Sequence, residues 1–168
     1  MLRTILANRY ALNLQYARDL VADVDDAASV TTPAPGMNHP RWVVGHLVLT
    51  ADAMTGHRIL GLELTTDAAW DGWFGGGTPP RVGADADAYP PLTQLLAALE
   101  TRHEAIADAV RGADASIFER TTPEAAGEGF RKRFPTVGGA LLHTMVAHEM
   151  QHLGQLSAWR RAKGLPSV

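Results

Sequence analysis

Residues 136–163, TVGGALLHTMVAHEMQHLGQLSAWRRAK, decide how this chain is read. Thr136 is of the type that caps helix N-termini, and Gly164 with Pro166 supplies a stop, so the stretch between them predicts a helix to about Lys163. Inside it, His148-Glu149-Met150-Gln151-His152 puts two imidazoles four residues apart. Side chains at that spacing lie on one helical face about a turn apart, where both can reach one ion. Such sites are built in helical proteins from side chains on facing helices, so the remaining sequence is read for partners.

Three partners emerge. Leu92, Leu96, Leu99, His103, Ile106 and Val110 alternate steps of four and three, which predicts a helix over 91–111 with a heptad-like seam carrying one histidine. A helix from His39 to about Leu60 accepts Pro40 in its first turn, where the missing N–H has no partner to lose. Residues 2–24 place Leu6, Tyr10, Leu14, Ala17, Val21 and Val24 on one face. Between these lie 25–38, 61–90 and 112–135, rich in Gly, Pro and polar residues, with no strand alternation anywhere. The expectation is an all-α, four-helix bundle forming one domain over residues 1–168, with a long crossover between helices two and three. A structureless connection of that length is uncommon in a compact domain unless it has a function. Trp70, Trp73 and Phe74 within it either form a lid or cover the core.

Composition narrows the function classes. Of 168 residues, 46% are hydrophobic and 20% charged, enough to bury a core and far from the regime of disorder. Fifteen Lys and Arg against eighteen Asp and Glu leave a net charge of -3, which supports attraction neither to nucleic acid nor to an acidic membrane. The absence of cysteine excludes disulfides, iron–sulfur clusters, zinc ribbons and a cysteine nucleophile. The apolar residues near the start are interrupted by Arg3, Asn8, Arg9, Asn13 and Gln15, so neither a signal h-region nor a membrane span is read there, and a cytoplasmic protein is expected.

The seven histidines then carry the chemical argument. His148 and His152 with Glu149 match HExxH, in which the glutamate serves as general base. Proteases with that motif draw a third ligand from downstream, and the sixteen residues after His152 contain no His, Asp or Glu. A third ligand must come from upstream. His46 is the best placed, on a largely apolar stripe with Trp42, Leu49, Thr50 and Ala53. His39 suits a cap or an exposed position, His57 lies in another layer, and His143, five residues before His148, is turned off the metal face at 100° per residue. His103 reads as a hydrogen-bonded core residue or as a support behind a ligand. Glu149 reads as a base or as a paired or solvated carboxylate; Gln155 as an orienting group for ligand or substrate, or as an interhelical hydrogen bond. The basic run Arg131, Lys132, Arg133 between Phe130 and Phe134 is a solvated loop or a holder of a substrate carboxylate or phosphate.

The segments Asn38-His39-Pro40-Arg41-Trp42-Val43-Val44-Gly45-His46-Leu47 and HEMQHLGQL, followed by Arg160 or Arg161 and Lys163-Gly164, resemble the DinB/YfiT-like superfamily of four-helix metalloproteins. The resemblance implies a metal triad of His46, His148 and His152 holding a divalent transition metal, zinc or nickel. It also implies a small-molecule substrate and, by analogy with thiol-dependent transferases and isomerases of that superfamily, a low-molecular-weight thiol such as mycothiol or bacillithiol. Other members are described as metal-dependent hydrolases. The functional expectation is a metal-dependent enzyme that activates a thiol or water against a small electrophile; the alternative is a noncatalytic metal-binding homodimer with a stability or sensing role. One departure stands out: the arginine common after the last triad histidine is Leu153 here.

Overall fold

The computed structural model describes residues 1–168 and is helical throughout, with a single isolated β-bridge between Thr121 and Thr136. Helix α1 spans Leu2–Val21 and buries Leu6, Tyr10, Leu14, Ala17 and Val21 of the expected stripe together with Leu20, while Val24 lies beyond its end. Helix α2 spans Pro40–Leu49 and continues as a π-helical stretch over Thr50–Ile59. Its cap is His39, whose Nδ1 accepts the Trp42 N–H at 3.1 Å while Nε2–H donates to the Arg81 carbonyl at 2.8 Å. Capping is thus the role His39 takes, fully buried.

Residues 61–90 are not structureless. Ala69–Phe74 form a short helix, α3, and Gly83–Ala88 a 3₁₀ turn. Six residues are too few to display a period in sequence; what holds α3 is Phe74, completely buried in the core. Asp52, at 0% exposure, anchors the start of this segment by accepting the Thr65 and Thr66 N–H groups at 2.9 and 2.6 Å, with Arg102 Nε at 2.8 Å. Burial pushes the Asp52 carboxyl up, but those donors and the Arg102 charge leave it below its ordinary value.

Helix α4 runs Leu92–Gly112 and α5, Glu128–Arg133, lies in the following irregular stretch. The last rod is composite: α6 over Val137–Leu142 with Thr136 as its cap, a π-helical stretch His143–His148, and α7 over Glu149–Ala162 closed by Gly164 at φ +72°. Tyr10 faces His103 and Arg18 reaches Glu100, so α1 and α4 are antiparallel. Asn13 bonds the Met145 carbonyl and Arg160 bonds the Leu20 carbonyl, so α1 and α7 run the same way. Arg160, 2% exposed, also clasps Asp23, locking the two rods at that end. No helix is long and apolar enough to cross a membrane.

Candidate metal centre

The site forms where α2 passes the junction between the π-helical stretch and α7. His46 Nε2 lies 3.2 Å from His148 Nε2, and one ring nitrogen from each of His46, His148 and His152 falls within a 4.8 Å span. Nitrogens about 2.1 Å from a tetrahedral ion sit about 3.4 Å apart, so the His46–His148 spacing already matches a shared ion.

Two of the rings are held from behind. His46 Nδ1–H donates to the Phe74 carbonyl at 2.6 Å, which leaves the Nε2 lone pair facing the cluster. That contact depends on Gly45: a Cβ there would come within 2.4 Å of the Phe74 ring, so the ring seats against bare α2 backbone and brings its carbonyl within reach. Trp42 stacks on the His46 ring at 5.0 Å and 4°, blocking that face. His152 Nδ1–H donates to Gln155 Oε1 at 3.3 Å, and the same oxygen accepts from Asn38 Nδ2 at 3.1 Å. Gln155 therefore links α2's approach to the orientation of His152, and its orienting role acts on a histidine. His148 Nδ1 is buried with no partner.

Electrostatics favour three neutral bases. Burial lowers His46 despite its hydrogen bond to Phe74, and burial with the neighbouring His46 brings His152 to about 4. His148 falls to about 3, through burial first and then the charges His152, His46 and His143 would carry. A cluster of lone pairs with no acid among them is the donor set a borderline transition-metal cation takes.

Glu149 and His103 do not join the trio. Glu149, 3% exposed, turns to the α1 and α4 side, where Oε1 lies 2.8 Å from His103 Nε2 and Oε2 accepts from Asn13 Nδ2 at 3.1 Å. Burial raises its carboxyl, against the opposing pull of His103 and Asn13. Glu149 is paired, with His103 and Asn13 and not with a lysine or arginine: at 100° per residue the side chain after His148 leaves that face, and it finds its partners on α1 and α4. His103 stacks on Tyr10 at 3.6 Å and stands behind Glu149 instead of behind a ligand.

His143 is closer than its spacing suggested. Where hydrogen bonds run between residues five apart, side chains five apart approach one face. The His143 and His148 rings meet edge-on at 5.9 Å, and Phe134 stacks on His143 at 4.2 Å. Phe74 and Asn13 carried no chemical signal in the sequence beyond a core aromatic and a polar residue on an apolar stripe.

An all-helical protein with a three-imidazole cluster between its second and last rods is a candidate metalloprotein. A family model, that of the DinB superfamily, matches residues 9–156, and the chain belongs to that superfamily. No curated protein matches it by sequence. Leu153, where the superfamily resemblance leads one to look for arginine, is 1% exposed and packs in the core.

Proposed function

We propose that the chain is a four-helix bundle domain with a crossover over 61–90, and that it is a metal-dependent enzyme whose His46, His148 and His152 hold one zinc or nickel ion. The observation that carries this is the pair of rear acceptors, the Phe74 carbonyl and Gln155, which fix Nδ1–H on His46 and His152 and turn both Nε2 lone pairs inward. Of the other side chains of ligating type, His103 and Glu149 are engaged with one another and His143 is stacked against Phe134. Three neutral imidazoles would leave the ion its full charge and a position for substrate, where it would lower the pKa of a thiol or water. The residues of the chain supply orientation and a dry wall: Trp42 and Phe74 shield His46, while Asn38 and Gln155 hold His152. The reaction class is attack of a small thiol, or of water, on a small electrophile. Elemental analysis of purified protein tests the reading, with about one divalent transition metal per chain expected and loss of it in His148→Ala. Retained occupancy in that variant would sink it. A thermal-shift screen over metals and small thiols then finds the ligands, and turnover of a panel of small electrophiles, esters and amides by the metal-loaded protein separates enzyme from noncatalytic bundle, which would turn over none.

A homodimer is favoured by one feature: Ile5 and Leu12 on α1, with Leu142 and Met150 on the neighbouring last rod, are apolar yet 41–57% exposed. Light scattering at micromolar concentration checks it, with a monomer mass counting against it.

A further inference from the structure

The third ligand's surroundings differ from those of the other two. His46 is covered by Trp42 and Phe74, and His152 is tied to Gln155 and Asn38, but His148 meets His143, which in turn packs against Phe134 and Phe130. These three rings form one surface: Phe134 stacks on His143 at 4.2 Å and 17°, Phe130 meets Phe134 at 4.9 Å, and all are only partly buried. The shelf begins at His148, the one partly exposed member of the trio.

Helix α5 brings charge to that shelf: Arg133, exposed at its end, lies near enough for its charge to act on His143. Two of its three cations are already compensated, Lys132 by Glu128 at 2.7 Å and Arg131, more loosely, by Glu124 at 3.9 Å. Arg133 is exposed, makes no ion pair, and is the residue directly before Phe134. An arginine presents a planar fork suited to carboxylate or phosphate, and an unpaired one at the mouth of a site attracts anions in a chain that is otherwise net negative.

Resting on the metal-site reading above, we propose that the substrate is a small anion with a flat or apolar body, seated on Phe130, Phe134 and His143 with its anionic end at Arg133 and its reacting end toward His148. The aromatic shelf supplies area and the arginine supplies direction. Arg133 is then a specificity residue, and Lys132, one position earlier but already paired, is not.

The test uses full-length protein loaded with cobalt(II), whose absorption reports thiolate ligation. The probes are para-(mercaptomethyl)benzoate and phenylmethanethiol, which differ by one carboxylate. Wild type should bind the carboxylate thiol about fivefold more tightly, the scale of one partly exposed charge pair. Arg133→Glu should abolish or invert that preference while binding the same amount of cobalt, Lys132→Glu should keep it, and Phe134→Ala should weaken both thiols alike. A preference that survives Arg133→Glu, or its absence in wild type, overturns the proposal. Para-toluate, followed by calorimetry, gives an arm that needs no thiol: its affinity should drop about fivefold in Arg133→Glu, and equal affinities overturn the proposal even if neither thiol ligates cobalt. Failure of the underlying metal reading shows separately, as cobalt binding that does not depend on His148.

Discussion

His148 and Glu149 are neighbours in the chain and end in opposite kinds of polar cluster. On one side of the last rod, His148 joins His46 and His152, three bases with no acid among them. On the other, Glu149 joins His103 and Asn13, an acid with a base and an amide donor. The second cluster is buried and the first largely so, with His148 partly exposed, so their buried polar atoms need partners. In the second, Glu149 pairs with His103 and accepts from Asn13, so its acid is matched within the cluster, and only His103 Nδ1 is left without a partner. The first has no acid to match its bases: burial keeps its imidazoles neutral, two of them have their N–H spent on Phe74 and Gln155, and the nitrogens that converge suit a cation. The contrast is the one expected if the first cluster binds a cation and the second serves stability.

The largest expected effect breaks the first cluster. His148→Ala should weaken cobalt or zinc affinity about a thousandfold, roughly one ligand's share of a structural site's binding energy, measured by competition with a chromophoric chelator.

Next comes the opposite cluster. Glu149→Ala should cost about 3 kcal/mol in urea unfolding, by stripping His103 and Asn13 of a buried partner, yet leave metal stoichiometry at saturation intact. Loss of the metal with the fold preserved would mean that the two clusters work as one site.

Smaller effects should follow from the groups behind the ligands. Gln155→Ala and Gly45→Ala should each lower metal affinity about tenfold, the first by freeing His152 and the second by displacing Phe74 from His46. Unchanged affinity in both would show that ring orientation is set by packing alone.

The smallest concerns pH. Histidines held neutral in the fold take up protons once unfolded, below their ordinary 6.5, so metal-free stability should be full above that pH and decline as pH falls toward 4 and 3. Metal affinity, by contrast, should stay nearly flat from neutrality to about pH 5.5, because ligands already unprotonated give proton competition little purchase. A steep loss of affinity centred at 6.5 would show that the trio is solvated like free imidazole.

Much of this was readable in one dimension. The stripe of α1, the seam of α4, the Pro40 start, the Thr136 cap and the Gly164 stop are all local features, and periodicity and capping follow from backbone geometry over a few residues. The four-residue spacing of His148 and His152 belongs with them, as does His46 on an apolar stripe. Tertiary structure decided the rest. The His46 partner is a backbone carbonyl 28 residues away, Asn38 and Gln155 are 117 apart, and Asn13 and Glu149 are 136 apart, so no local pattern encodes any of them. His143 reaches the site only because the last rod changes its winding between Leu142 and Glu149. A sequence specifies which residues are on a helix and, for regular winding, which share a face; what stands opposite that face, and where the winding departs from 100° per residue, are settled by how distant segments pack.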